Sequence, residues 1–560
     1  MSKNSKYLTV ICTILLVLIV QFHSKAQVSE GLKLEIDSLL NQFRSDQPGG
    51  AVGVYLGNKV VYERYVGLQS LSTKKPITAS TPYNIASMAK QFTGVGIALL
   101  EHQNKISKED KMGKYLPELA HFDGIKVKHL LYHTSGLREA TDIALLSGKT
   151  TLSGELPLGF INEENLLSIL SKERDLNFQP GTEHSYTNTN YILLAQIISR
   201  ISGKPFGTFL DSAIFKPLGM KNSYVQPSAS ESKVEGHRKK GKRFKKTRGS
   251  GGLPGEDNLI TTLNDLRLWY GNYFTNRLGL ADTLHQNLIK PEPLIGGKSS
   301  DYGYGLSITD RNGMLLAWHD GENNLHTSAA LFMPESQLII ICLANATDHF
   351  NPTRRVFEIL EMIYPREKEE TKLVKFMKTA IAENEKKQGI YYRIGPTNSG
   401  AIRKVSVIEE ETFVTAHLDY KGLRFQNVSK DHLYATNTNG NPINLFFEEE
   451  DGQPILREDY VDHESDWVFK KKGDFKIQSS DYTGTYKDPF HGAFFQVKEK
   501  KGKLIAKKGL LKVELIPFER DVFLGDYDIM FFFERSANGR ISNVLLNLDN
   551  LRNYQLDKVK

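Results

Sequence analysis

The stretch Tyr83-Asn84-Ile85-Ala86-Ser87-Met88-Ala89-Lys90 runs into the apolar segment Val95-Gly96-Ile97-Ala98-Leu99-Leu100, and that junction limits the folds open to the chain. The apolar segment reads as a helix that must be buried, so whatever lies one turn upstream is carried inward with it. Positions i and i+3 share a helical face, which lets the Ser87 hydroxyl meet the Lys90 amine. At a first helical turn, free backbone N–H groups and the positive end of the dipole favour a developing alkoxide. A serine hydroxyl attacks only when a base takes its proton, and a lysine serves if burial or nearby charge lowers its pKa. Alone the pair says little, because an N-cap serine beside a solvated lysine gives the same letters. The rest of the chain has to supply an orienter and an oxyanion hole.

The flanking pattern is mixed α and β. Glu30 to Phe43 has helical spacing, and Ala51 to Leu56, Gly57-Asn58 and Val60 to Tyr65 read as strand, turn, strand. A short helix over Val127 to Gly136 is expected to close on Gly136. Within it His133 and Ser135 invite a triad reading, but side chains satisfying a polar helix end explain them better. A long helix follows Tyr186 and Asn188, and another covers Thr262 to Tyr270. Gly313 to Trp318, Leu325 to Met333 and Gln337 to Asn345 read as successive strands, then Thr353 to Tyr364 as a helix. This order predicts an α/β (α+β) domain over 27–365, with helices flanking an antiparallel sheet completed by both ends of the segment.

At 560 residues more than one domain is expected. Residues 366–388 are charge-rich and read as a helical linker. Beyond them short alternating strands recur, predicting an all-β region: 389–470 as a possible first barrel and 471–560 as a second, with one larger barrel as the alternative.

Residues 1–26 read as a signal peptide: Lys3 and Lys6, the apolar Tyr7 to Phe22, then Ser24-Lys25-Ala26. The expectation is an exported, periplasmic protein, with membrane attachment only if that segment stays uncleaved. The two cysteines, Cys12 and Cys342, supply neither a disulfide framework nor a thiolate metal site. The net charge of +7 is concentrated in Arg238, Lys239, Lys240, Lys242, Arg243, Lys245, Lys246 and Arg248; without these eight the chain sits near neutrality. They read as an exposed hairpin, either simply solvated or in contact with an anionic surface. No nucleic-acid recognition motif accompanies them.

Tyr186 and Asn188 sit at a helix start, where side chains project into a cleft, and His319-Asp320-Gly321 ends an apolar strand run that would form the far wall. Ser-x-x-Lys, then Tyr-x-Asn, then a basic-x-Gly triplet resembles the penicillin-binding-protein and β-lactamase superfamily. The resemblance is closest to its class C-like serine hydrolases, which include D,D-carboxypeptidases, D-aminopeptidases and family VIII esterases. Leu130 to Leu137, Pro180-Gly181-Thr182, Pro217 to Met220, Gly251-Gly252-Leu253 and Tyr302 to Gly305 extend it over roughly 30–360. It implies Ser87 as nucleophile, Lys90 and Tyr186 sharing the general-base work, and Asn188 orienting Lys90 and the substrate amide. The backbone N–H groups of Ser87 and Glu322 would form the oxyanion hole, with no metal or organic cofactor. Tyr482 to Tyr486, Ile529 to Glu534 and Asn547 to Leu556 resemble lipocalin-like barrels appended to such hydrolases.

The triplet departs from the Lys-Thr-Gly or Lys-Ser-Gly of family β-lactamases. Here His319 stands for Lys, as in the D-aminopeptidase and esterase branches, and Asp320 stands for the hydroxyl. An anion there would repel a substrate carboxylate and suit an amine, so Asp320 is expected to receive the amine of an N-terminal residue. The resemblance therefore implies cleavage of a small amide, peptide or ester, including D-amino-acid-containing or cell-wall peptides. A promiscuous carboxylesterase, a weak β-lactamase or D,D-carboxypeptidase, and a non-catalytic cell-wall-peptide binder are the alternatives.

Overall fold

The computed structural model describes residues 30–146, 162–227, 234–241, 243–247, 252–297, 299–346, 349–365, 477–508, 511–525, 529–548 and 551–559, with eight strands between 389 and 471. The leader over 1–26 and the charged stretch 366–388 lie outside the described residues.

Helix α1 (Glu30–Leu40) precedes a hairpin of β1 (Gly50–Leu56) and β2 (Lys59–Val66). A 3-10 turn over Ala86–Ala89 then leads into α2 (Lys90–His102). The helical block contains α3 (Val127–Leu131), α4 (Ala140–Leu146), α5 (Glu163–Leu170) and α6 (Asn188–Ser202). The basic hairpin β3 (Gly236–Lys240) and β4 (Arg243–Thr247) and helix α7 (Leu263–Thr275) follow. The chain then lays down β5 (Ser307–Arg311), β6 (Met314–Glu322), β7 (Thr327–Met333), β8 (Leu338–Ala344) and α8 (Pro352–Ile363).

The sheet order is β5-β6-β7-β8-β1-β2, antiparallel throughout, so both ends of the segment complete it. Strand side chains alternate between faces, and the two cores show it. Along β8, Ile339, Ile341 and Leu343 face α2, α6 and α7, while Leu338, Ile340 and Cys342 face α1 and α8. The free thiol of Cys342 is fully buried there. Helix α2 is sunk in the first core: Phe92 stacks on Trp269 with ring centroids 3.9 Å apart. At Gly94 a Cβ would come within 2.6 Å of the Tyr304 carbonyl oxygen, so only glycine admits that backbone.

One helix boundary differs from the sequence expectation. Helix α3 stops at Leu131 and not at Gly136, because His133 takes a left-handed φ of 55°. The Thr134 N–H reaches the His129 carbonyl at 2.8 Å and the His133 N–H the Leu130 carbonyl at 3.4 Å, the paired bonds of a Schellman ending. A histidine occupies the position that usually falls to glycine.

After the sheet domain come two closed eight-stranded barrels. The first runs from β9 (Gly389–Tyr392) to β16 (His463–Lys471), closed by pairing of Tyr391 with Lys471. The second runs from β17 (Gly484–Lys487) through β23 (Ile541–Leu548) to β24 (Leu551–Val559), closed by pairing of Thr485 with Val559. The second barrel docks on the sheet domain: Ile143 and Leu146 of α4 are buried in the same apolar cluster as its inward-facing Tyr486, Phe495, Phe531 and Leu556. Among the described residues no helix is long and apolar enough to cross a membrane.

Candidate active site

Three backbone devices hold Ser87. Tyr83 and Asn84 pair with Thr261 and Ile260, fixing the approach. The Asn84 side-chain oxygen accepts the Ala86 N–H at 2.8 Å, which steadies Ala86 in a left-handed φ of 47°. From the other side β6 presses in: a Cβ on Gly321 would lie 2.4 Å from the Ile85 carbonyl oxygen and 2.9 Å from the Ser87 nitrogen. Glycine at 321 is what lets the strand backbone stand directly beside the serine.

Lys90 is fully buried and directs its amine at that serine. Its Nζ donates to Ser87 Oγ at 2.9 Å and to the Glu256 carbonyl at 3.1 Å, and lies 3.6 Å from Glu256 Oε2. The Tyr186 ring covers it at 4.9 Å. Burial pushes the amine's pKa down, but Tyr186 and then Glu256 push it up further, so the net shift is upward. The resting Lys90 is thus an ammonium with acceptors for its protons and not the lowered-pKa amine that the sequence reading asked for. Tyr186 is the larger cause of that upward shift, and Glu256, which sequence reasoning missed, is the next.

Glu256 is 8% exposed. Its Oε1 accepts the Leu253 N–H at 2.9 Å. Burial lifts its carboxyl to about 8, opposed by Lys90 and assisted by Asp257. The only sequence signal was an acidic pair, Glu256-Asp257, directly after a glycine-rich turn. Nothing in its spacing ties it to a lysine 166 positions earlier. Burial also raises the Tyr186 phenol, with Lys90 and Ser87 opposing.

The triplet divides between the two faces of β6. His319 faces the cleft, 5% exposed, with Tyr302 Oη at 2.9 Å from its Nε2 and its Nδ1 at 2.5 Å from the Asp320 carbonyl. Burial drops its pKa to about 4, so the imidazole is neutral: Nδ1–H donates to Asp320 and Nε2 accepts from Tyr302. Asp320 does not share that face. Its Oδ2 accepts the Thr353 hydroxyl of α8 at 2.9 Å, and the residue lines a cavity with Gly321, Glu322, Thr327, His349 and Asn351. The expectation that Asp320 receives a substrate amine in the serine cleft is therefore corrected: strand alternation turns its side chain to the α8 side. Glu322 pairs with Thr327 at the strand end and its side chain is exposed. Its backbone follows Gly321, the residue packed on Ser87.

Asn188 makes no hydrogen bond to Lys90 among the described residues. Its Oδ1 is buried and unbonded, and its N–H donates to Glu139 Oε2 at 2.7 Å. Glu139, also missed in the sequence, caps the start of α6, taking the Thr187 hydroxyl at 2.9 Å and the Thr189 hydroxyl at 3.1 Å. His133 is buried and neutral, held well below its ordinary pKa by burial. Its ring lies 4.3 Å from Tyr186 and its Nδ1 accepts the Thr187 N–H at 3.2 Å. Ser135 bonds to Asn190 and to the Leu137 N–H. The two are scaffolding for the Tyr186 turn and form no triad.

The family described as Beta-lactamase matches residues 36–360. The chain is 27% identical over 308 residues to a D-aminopeptidase of Gluconobacter oxydans (strain 621H), covering 53% of this chain and 56% of the relative. It is 30% identical over 179 residues to penicillin-binding protein 4* of Bacillus subtilis (strain 168), covering 32% and 38%. The chain thus spans about half the length, or less, of the curated relatives it matches. The octameric penicillin-binding protein homologue from Pyrococcus abyssi shares the fold with a TM-score of 0.52 and 20% identity, over 79% of this chain and 99% of that one.

Proposed function

The chain belongs to the Beta-lactamase family, and from that premise we propose that it is an exported serine hydrolase that cleaves an amide or ester through an acyl-enzyme on Ser87. The observation that carries this reading is the Lys90 Nζ bonded to Ser87 Oγ at 2.9 Å beneath the Tyr186 ring.

In the resting site Lys90 cannot take a proton, because it already holds three. Glu256 supplies the outlet. Once Glu256 has lost its own proton, as pH rises through about 8, moving one proton from Lys90 Nζ to Glu256 Oε2 leaves a neutral amine against Ser87 Oγ and a neutral acid in a buried pocket, the charge state that burial favours. Ser87 Oγ then attacks the carbonyl carbon while its proton passes to Lys90 Nζ. Tyr186, over both groups, hands a proton to the leaving nitrogen or oxygen as that bond breaks and recovers one from Lys90 Nζ, which returns to the neutral amine. The Ser87 and Glu322 N–H groups receive the developing oxyanion, and the unbonded Asn188 Oδ1 accepts a substrate N–H. Water repeats the sequence to release the acid.

Substrate class follows from what the cleft wall lacks. His319 is neutral and Asp320 faces away, so the triplet offers neither a cation for a carboxylate nor an anion for an amine. An uncharged amide or ester fits best. D-amino-acid amides remain in the proposal on the strength of the D-aminopeptidase relatives, and the neutral wall favours a carboxylesterase as the second reading.

The test is intact-protein mass after mixing the protein separately with an activated ester, a D-amino-acid amide and a penicillin, with Ser87→Ala beside each. A transient adduct on the wild type alone is expected with the first two. No adduct and no turnover with any of the three, on folded protein, sinks the hydrolase reading in favour of a peptide-binding role.

A further inference from the structure

We infer that the second barrel is a working part of the active site: the start of β24 grips Arg138, and through the adjoining Glu139 it keeps Tyr186 and Asn188 aligned on Ser87. The inference rests on the hydrolase reading for its catalytic meaning, and on geometry for the coupling.

Glu139 fixes the turn that carries Tyr186 and Asn188, since its carboxylate accepts the Asn188 N–H and the Thr187 and Thr189 hydroxyls. It sits on an irregular loop, and a buried carboxylate on a loop orients others only if the loop itself is held. The hold comes from the neighbouring residue. Arg138 is 5% exposed; its Nη1 donates to Glu173 at 2.8 Å, and its Nη2 donates to the Arg552 carbonyl at 2.9 Å and the Asn553 carbonyl at 3.2 Å. A planar guanidinium with one carboxylate and two carbonyls around it has little freedom to move.

The barrel holds the same loop from two further sides. Directly after Glu139, α4 buries Ile143 and Leu146 in the barrel's apolar cluster, and Lys508 bonds the Leu146 carbonyl at the helix end. In the other direction Arg552 reaches the segment that leads into Tyr186: its guanidinium pairs with Glu183 at 3.1 Å, and its N–H donates to Asn177 at 2.9 Å. Asn177 in turn donates its N–H to the Gly136 carbonyl at 2.7 Å. Both segments that present Tyr186 are therefore tied to the start of β24. Arg138 and Arg552 touch no reacting atom; they are positioning residues.

The test uses the full chain and the variants Arg138→Met, Arg138→Lys and Arg552→Ala. Hydrogen exchange of the 184–190 amides, which needs no substrate, is expected to speed up in Arg138→Met and Arg552→Ala, and less in Arg138→Lys. With an activated ester, kcat is expected to fall about tenfold or more while KM changes less than about twofold, because displaced catalytic groups slow chemistry more than binding. The pH–rate profile should shift with it, and Arg138→Lys should recover part of both. If Arg138→Met fails to fold, Arg552→Ala, which leaves the Arg138–Glu173 pair intact, decides. Folded variants with wild-type exchange over 184–190 overturn the inference. A wild type that forms no acyl-enzyme sinks the hydrolase reading, and the exchange data still decide the coupling.

Discussion

Two buried cations lie a few residues from the same cleft, and they are built for opposite ends. Lys90 faces Ser87 Oγ and a carboxylate lifted to about 8. Arg138 faces Glu173 at 2.8 Å and two barrel carbonyls. Both are taken out of water, and both would be costly unpaired. The difference lies in what each can give up. An ammonium shifts its pKa readily, and Lys90 has a partner that can take its proton once ionised above about pH 8. A guanidinium keeps its charge in any protein, and its partners do not share it. Burial of a charge therefore says little about function until one asks whether the surroundings can absorb the proton.

That comparison can be broken at three points. The largest effect is expected from Lys90→Arg, which keeps a buried cation and removes the only one able to become a base. Acylation of Ser87 should fall by about 10³-fold or more, read by single-turnover mass spectrometry, with folding retained. A variant that still acylates would mean Tyr186 alone serves as base. Glu256→Gln should act less severely and with a signature in pH. The wild-type kcat/KM should carry an ionisation near 8 from Glu256, and the variant should lose it along with about ten- to a hundredfold of rate. Stability should follow the same ionisation. The Glu256 carboxyl is raised from 4.5 to about 8, so the folded state holds its proton more tightly and wild type loses stability as pH rises through that window. The glutamine variant has no such loss, and its Tm should gain on wild type between those values. The smallest effect is expected from Asp320→Asn. Its carboxylate faces Thr353 and not the serine, so amine-bearing and neutral substrates should both react within about threefold of wild type. A selective loss on amines would restore it to the cleft.

Much of the site was legible because its parts are local signatures. Ser87 and Lys90 share a turn, Tyr186 and Asn188 mark a helix start, and Gly321 follows a histidine on a strand. Asp320 differs from the sequence expectation for a reason the sequence itself holds: Leu316-Ala317-Trp318-His319 alternates between faces, which sends residue 320 to the back. Glu256 and Glu139 escaped because their meaning is made by contacts far along the chain, from loops with no periodicity. The end of α3 was misplaced because a left-handed histidine did what a glycine was expected to do. The strand-rich region after 389 announced small barrels by its alternation, but the docking of α4 into the second is set by shape and left no pattern in the letters.

Cys342 adds a built-in clock. Its thiol sits in the middle of β8, sealed under α1 and α8, and burial raises its pKa far above that of a free cysteine. The chain's other cysteine, Cys12, falls within residues 1–26. In protein lacking those residues, a thiol reagent has one target, which reacts only when the central sheet opens. The rate of a single covalent event thus reports how often the catalytic core comes apart, with no engineered probe, and every variant above can be timed against it.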